Sequence, residues 1–331
     1  MKDTTMDALH TILDAAIAAV DPTRALHAAL RREGTTLWLD GRLDGRLDGR
    51  AVALDQYRRV GLLALGKAAA PMVQTMEDLL GDRLDTRHNT SPDAGLAVTK
   101  YGHGRGITLR HTRLLEAGHP VPDAAGLAAG REILRRAQGF GAGDLVFCLL
   151  SGGASALAPA PLPPLTLADK QAVTDALLAC GATIHEINAL RKHLSALKGG
   201  RLAQALAPAE VVTLVISDVV GNDLGVIASG PTAVDTSTFQ DCLEIIARYD
   251  LAQRLPAAVM TVLNEGAAGR RPETVKPGDP CLARVTHRVV ADNRLALEAA
   301  AATARDLGYA PLLLTSRLRG EAREAAKVLA A

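Results

Sequence analysis

Three unbroken apolar runs constrain the fold of this chain more than any other feature. They are Val60 to Leu65 (VGLLAL), Leu145 to Leu150 (LVFCLL) and Val211 to Ile216 (VVTLVI). A strand with one wet face alternates apolar and polar residues; an unbroken run is dry on both faces. Each run ends in a polar or glycine-rich turn, respectively GK, SGGAS and SDVVGND. Segments with helical spacing separate them: Ala124 to Arg136, Leu167 to Cys180 and Ile184 to Leu206. Strands alternating with helices predict an α/β fold, a Rossmann-like doubly wound and mostly parallel sheet. Such sheets bind ligands at the carboxyl ends of their strands, where these three turns fall.

Other segments complete the expected plan. Met6 to Val20 reads as a helix, and Asp21 caps a second one that begins at Pro22. Leu39 to Arg50 repeats a four-residue unit, LDGR, three times and reads as hairpin turns or an exposed loop. From Phe239 the character changes. A helical stretch, DCLEIIARYDLAQRL, leads to a polar loop around Ala267 to Pro280. Two strands follow, at Arg288 to Ala291 and Pro311 to Thr315, flanking a helix at Leu295 to Leu307, with a last helix at Gly320 to Ala331. This second β-α-β unit predicts a division into residues 1–236 and a smaller α/β domain at 237–331. Two strands make a poor sheet, so the smaller unit is expected to be incomplete.

Composition narrows the function. Lys and Arg total 37 against 36 Asp and Glu, and aromatic residues make up 2% of the 331 residues. With neither a basic bias nor base-stacking rings, nucleic acid is not an expected partner. No apolar run approaches the ~20 residues of a membrane-spanning helix. Cys148, Cys180, Cys242 and Cys281 lie far apart, which predicts reduced thiols in a cytoplasmic protein.

The chemistry concentrates in five stretches. In Ser151-Gly152-Gly153-Ala154-Ser155 the glycines permit positive φ and close approach. Successive amides there form an anion-binding nest, with the two hydroxyls as added donors. It is neither G-x-x-x-x-G-K-[ST] nor G-x-G-x-x-G, and a tight packing turn is the plain alternative. Lys67 aims a point charge at an equivalent strand end. His119 sits between prolines in EAGHPVPD as a candidate substrate contact or proton carrier, though such a histidine is more often structural. Arg191, Lys192, Lys198 and Arg201 cluster in one helical segment interrupted by Gly199-Gly200; a solvated polar face is the ordinary reading. In SDVVGNDLGVIASGPTAVD, Asp218 is placed to hold Mg²⁺ or accept a proton, and Asn222 and Asp223 follow in a turn. Ordinary Asx-turn chemistry explains any one of these residues, but less well their gathering.

Taken in order, GKAAAPM, AGHPVPDAAG, LLSGGASAL, INALRKHLSALKGGRLA and ISDVVGNDLGVIASGPTAVD resemble the class II glycerate kinases. These are the glycerate 2-kinases with a C-terminal MOFRL domain, some of which have been labelled hydroxypyruvate reductases. The resemblance runs from about Met6 to Ala331. It implies a Rossmann-like domain, a smaller α/β domain and a cleft between them. It also implies ATP- and Mg²⁺-dependent phosphorylation of D-glycerate to 2-phosphoglycerate. On this chain it implies catalytic roles for Lys67, Lys192 and Asp218, the last also as the magnesium ligand. Residues 151–155 would bind the nucleotide phosphates, and Lys67, His119, Asn222 and Asp223 the substrate. The final segment, LGYAPLLLTSRLRGEAREAAKVLAA, resembles the start of the MOFRL domain. Family members are expected to continue for about a hundred residues more. Two alternatives stand beside this expectation. One is an inactive or partner-dependent truncated homologue that binds nucleotide or glycerate; a homodimer is a further expected arrangement. The other is a hydroxypyruvate reductase, whose nearest dinucleotide candidate, Gly102-His103-Gly104-Arg105-Gly106, has the wrong spacing.

Overall fold

The computed structural model describes residues 2–39, 42–43, 46–47, 49–84, 94–318 and 320–330. The chain opens with helices α1 (Lys2–Ala19) and α2 (Pro22–Ala29). Asp21 starts α2 by accepting from the Arg24 amide, and Pro22 follows in the first turn. Five short strands come next: β1 (Leu30–Glu33), β2 (Thr36–Leu39), β3 (Arg42–Leu43), β4 (Arg46–Leu47) and β5 (Arg50–Ala53). Of these, β1, β2 and β5 form a small antiparallel sheet.

The main body contains β6 (Arg59–Leu65), α3 (Ala69–Leu80), β7 (Gly95–Lys100), β8 (Thr112–Ala117), α4 (Ala124–Ala137) and β9 (Asp144–Leu150). It continues through α5 (Ala154–Leu157), α6 (Leu167–Ala179), α7 (Ile184–His193), α8 (Arg201–Leu206) and β10 (Glu210–Ile216). Last come α9 (Phe239–Arg248), α10 (Ala257–Ala267), β11 (Val285–Ala291), α11 (Asn293–Asp306) and α12 (Ala322–Ala330). The sheet order is β4-β3-β11-β10-β9-β6-β7-β8. From β11 to β8 every neighbouring pair is parallel, and β3 and β4 add an antiparallel edge.

The apolar runs are the strands expected, and their side chains divide between two cores. Leu145, Phe147 and Leu149 of β9 pack on one face with Met72 and Met76 of α3. Val146, Cys148 and Leu150 pack on the other with Ile133 of α4 and Leu202 of α8. A third apolar cluster lies among α6, α7, α9 and α10. Capping boxes start three of these helices, at Thr166, Thr183 and Thr238, each closed by an acidic residue three positions on.

Several elements differ from expectation. The strands β7 and β8 join the sheet without having been expected. The helix expected over 184–206 is two, because Gly199 (φ 59°) and Gly200 (φ 79°) turn the chain between α7 and α8. Strand β11 is a parallel neighbour of β10 rather than part of a separate unit, so the main sheet crosses the division expected near residue 237. Residues 311–315 form no strand, and Leu312, Leu313 and Leu314 are exposed. On its other side β11 meets β3 through the single pair Val289 and Arg42. In the LDGR repeat, β3 and β4 pair antiparallel, while Asp44 and Gly45 lie outside the described residues. Among the described residues no helix is long and apolar enough to cross a membrane. All four cysteines are free.

Candidate active site

Because β6 to β10 are parallel, their carboxyl ends lie along one edge, and their turns interlock there. The Lys67 amide donates to Gly152 O at 2.9 Å and the Ser151 amide to Leu65 O at 3.0 Å. Ser151 Oγ accepts from the Ala68 amide at 3.0 Å, so this hydroxyl serves the turn after β6. Gly66, at φ 132°, lies against Ser151, and a β-carbon would collide with it. These contacts fix the lysine turn against the glycine loop.

The two glycines of SGGAS have a specific task. A β-carbon on Gly152 would strike the Asp218 carboxylate. One on Gly153 would lie 3.2 Å from both His119 Nε2 and Lys67 Cγ, and φ there is 90°. The missing side chains therefore let a carboxylate, an imidazole and a lysine stem close around the loop. The amides of Gly152 and Gly153 have no acceptor among the described residues. Ser155 faces inward, where its hydroxyl meets Lys198 Nζ and, at 3.2 Å, Ser229 Oγ.

The edge is electropositive. The Lys67 and Lys100 side chains have no acceptor among the described residues, while Asp218 is the carboxylate that meets the loop. His119 is held below the ordinary histidine pKa, first by partial burial and then by Lys67, Lys100 and His103; Asp218 opposes the shift. Neutral imidazole is therefore favoured at His119.

A second locus adjoins the first. A cavity of about 660 Å³ is lined by Asn188, Lys192, Asp223, Asp235, Ser237 and His287, among others. Lys192 Nζ pairs with Asp235 Oδ1 at 3.1 Å, and Ser237 Oγ donates to the same oxygen at 2.8 Å. Burial opposes ionisation of Asp235, but Lys192, Ser237 and His193 outweigh it and lower its pKa. Asp235 Oδ2 is buried with no hydrogen-bond partner. Ser229 links the loci, since its Oγ reaches both Ser155 and Asn188.

The expected site residues thus divide. Lys67, His119, Gly152, Gly153 and Asp218 converge at the strand edge. Ala154 starts α5 beside them, while buried Ser151 and half-buried Ser155 form the underside of the loop. Lys192 and Asp223 line the cavity instead, and the polar face of α7 is buried rather than solvated. Asn222, at φ 56°, turns away to donate to Asp292 Oδ2 at 2.6 Å. Sequence reasoning missed Lys100, which ends the unexpected strand β7, and the contact of His103 with the Lys67 carbonyl, whose signal lay in the glycine-rich turn around it. It also passed over Asp235.

Among the described residues no three His, Cys, Asp or Glu side chains gather to bind a metal. Mg²⁺ in phosphoryl-transfer sites needs only one or two carboxylates, the substrate phosphates and water supplying the rest. Asp218 fits that modest requirement.

Together, sheet and edge define a doubly wound α/β protein with a candidate site at the ends of its parallel strands. Residues 8–264 match the family described as a domain of unknown function, DUF4147, and the chain belongs to this glycerate kinase-type family. A glycerate 2-kinase of Pyrococcus horikoshii is 37% identical over 310 residues, covering 94% of this chain and 64% of that protein. An Agrobacterium vitis protein bearing a hydroxypyruvate reductase name is 45% identical over 272 residues, covering 82% of this chain and 58% of that protein. The crystal structure of a Thermotoga maritima glycerate kinase superposes with a TM-score of 0.78 at 33% identity, covering 99% of this chain and 69% of that one. The chain spans about three-fifths of the length of these two curated relatives.

Proposed function

We propose that this chain carries the site of an ATP-dependent glycerate 2-kinase, which transfers a phosphoryl group to D-glycerate and yields 2-phosphoglycerate. The observation that carries the reading is the convergence on Gly152 and Gly153. Unbonded amides, a charged lysine and a carboxylate meet there within one glycine loop. Phosphoryl transfer asks a protein mainly for positioning and charge neutralisation, and this set offers both. The open amides of Gly152 and Gly153 receive phosphate oxygens. Lys67 offsets charge on the transferring group. Asp218 would hold Mg²⁺, which would supply screening of the phosphate charge. His119 binds the acceptor in its neutral form.

The adjoining cavity suits a nucleoside better than a three-carbon acid, since ligand pockets of roughly 300–1,000 Å³ hold drug-sized molecules. In this reading Asn188, Lys192 and Asp223 contact the nucleotide's remaining part. A hydroxypyruvate reductase would need loop amides free for a dinucleotide. The amides of Gly102 and Gly104, in the nearest glycine cluster, instead donate to Glu116 Oε1 at 3.1 and 3.0 Å. Free cysteines fit a reducing, cytoplasmic location.

The test is ADP release coupled to D-glycerate. Lys67→Met should lower kcat/KM by about 10²-fold or more, the scale for losing one preorganised charge contact. Equal rates for the variant and the parent chain would refute the role of Lys67.

A further inference from the structure

The turn between β7 and β8 carries a histidine directed at the backbone of the site's principal cation. His103 Nδ1 lies 3.2 Å from the carbonyl oxygen of Lys67. A carbonyl oxygen only accepts, so the contact puts a proton on Nδ1. Thr99 Oγ1 donates to the same oxygen at 3.2 Å. On its other side Lys67 gives its amide to Gly152 O at 2.9 Å. The backbone of Lys67 is thus tied to β7, to the β7–β8 turn and to the glycine loop.

The far end of Lys67 has no comparable anchor. Its ammonium has no acceptor among the described residues, so the anchored backbone sets the point and direction from which the flexible side chain leaves. The histidine's own turn is well held. Glu116 on β8 accepts from two of its amides, and Gly104 leaves no room for a β-carbon beside Leu114. A rigid turn thereby presents one donor to one carbonyl at the edge of the site.

We infer that His103, with Thr99 beside it, is a positioning residue that aims the Lys67 charge into the strand-edge site. The inference rests on the reading of Lys67 as the phosphoryl-binding cation. What His103 supplies to Lys67 is a hydrogen-bond donor at the Nδ1 position. Asparagine carries an amide nitrogen near that position, whereas glutamine places one nearer Nε2.

Two measurements test it on the intact chain. One is kcat and KM with D-glycerate and ATP across pH. The other is the rate at which limiting acetic anhydride acetylates Lys67 without substrates, read by mass spectrometry. His103→Ala and His103→Gln should lower kcat/KM by about 10- to 100-fold, the scale of a misplacement near 1 Å, and should change the Lys67 labelling rate. His103→Asn should restore both and keep the parent pH profile. Thr99→Val removes the second donor to the same oxygen and should move both readouts in the same direction. It also serves if a His103 variant fails to fold. Parent-like labelling in His103→Ala, or His103→Asn as impaired as His103→Ala, would overturn the inference. A parent chain that releases no ADP with glycerate would refute the kinase reading alone, because labelling still decides the role of His103.

Discussion

Gly152 and Gly153 are glycines because of what stands opposite their missing β-carbons. From the sequence they read as room cleared for phosphate oxygens. In the structure the space is taken by Asp218, His119 and Lys67, while the amides stay open. The residue types were legible, but the partners were not. Asp218 lies more than sixty positions from the loop, and only sheet order brings it there. The charge arrangement makes a test at this scale. In an NMR titration the His119 ring should ionise below the ordinary histidine range. Lys100→Met removes a neighbouring cation and should raise its pKa; Asp218→Asn removes the favourable anion and should lower it further. Shifts of the opposite sign would contradict this electrostatic picture.

Helices with strong local signals were readable as sequence, and those shaped by neighbours were not. Asp21-Pro22 and the threonine-led capping boxes act within four residues, so their positions follow from local chemistry. Strands β7 and β8 are short, and they make sense only beside β6 and α4. In α6, Lys170 shows the same limit. It is 8% exposed, and its Nζ has no hydrogen-bond partner. Burial first, then Arg191 and Arg201, bring its pKa from 10.5 to about 7. Between those values the unfolded chain binds the proton that the folded chain releases. Stability therefore rises with pH across that window, and the full cost applies below pH 7. Lys170→Met should stabilise the fold by on the order of a few kcal/mol below pH 7, with the gain fading toward pH 10.5. Urea midpoints at pH 6.5 and 9.5 measure this, and an equal shift at both would count against it.

Across the whole molecule, one strand serves two cores, and burial sorts leucines that look alike in sequence. Leu149 is fully buried between β9 and α3, whereas Leu13 on α1 is 55% exposed. Leu149→Ala should cost about 2–5 kcal/mol in chemical denaturation. Leu13→Ala should stay within about 0.5 kcal/mol. Comparable losses would mean that α1 buries this face. The sequence by itself determined the parallel α/β plan, because runs apolar on both faces must lie inside a covered sheet. It also marked the turns where the chemistry gathers. Only the tertiary structure decided that β11 continues the main sheet, that Lys192 pairs with Asp235 in a cavity, and that Lys100 and His103 join Lys67 at the edge. The reason is physical: periodicity reports whether a side chain is buried, whereas the group it meets depends on strand order, which no local pattern carries.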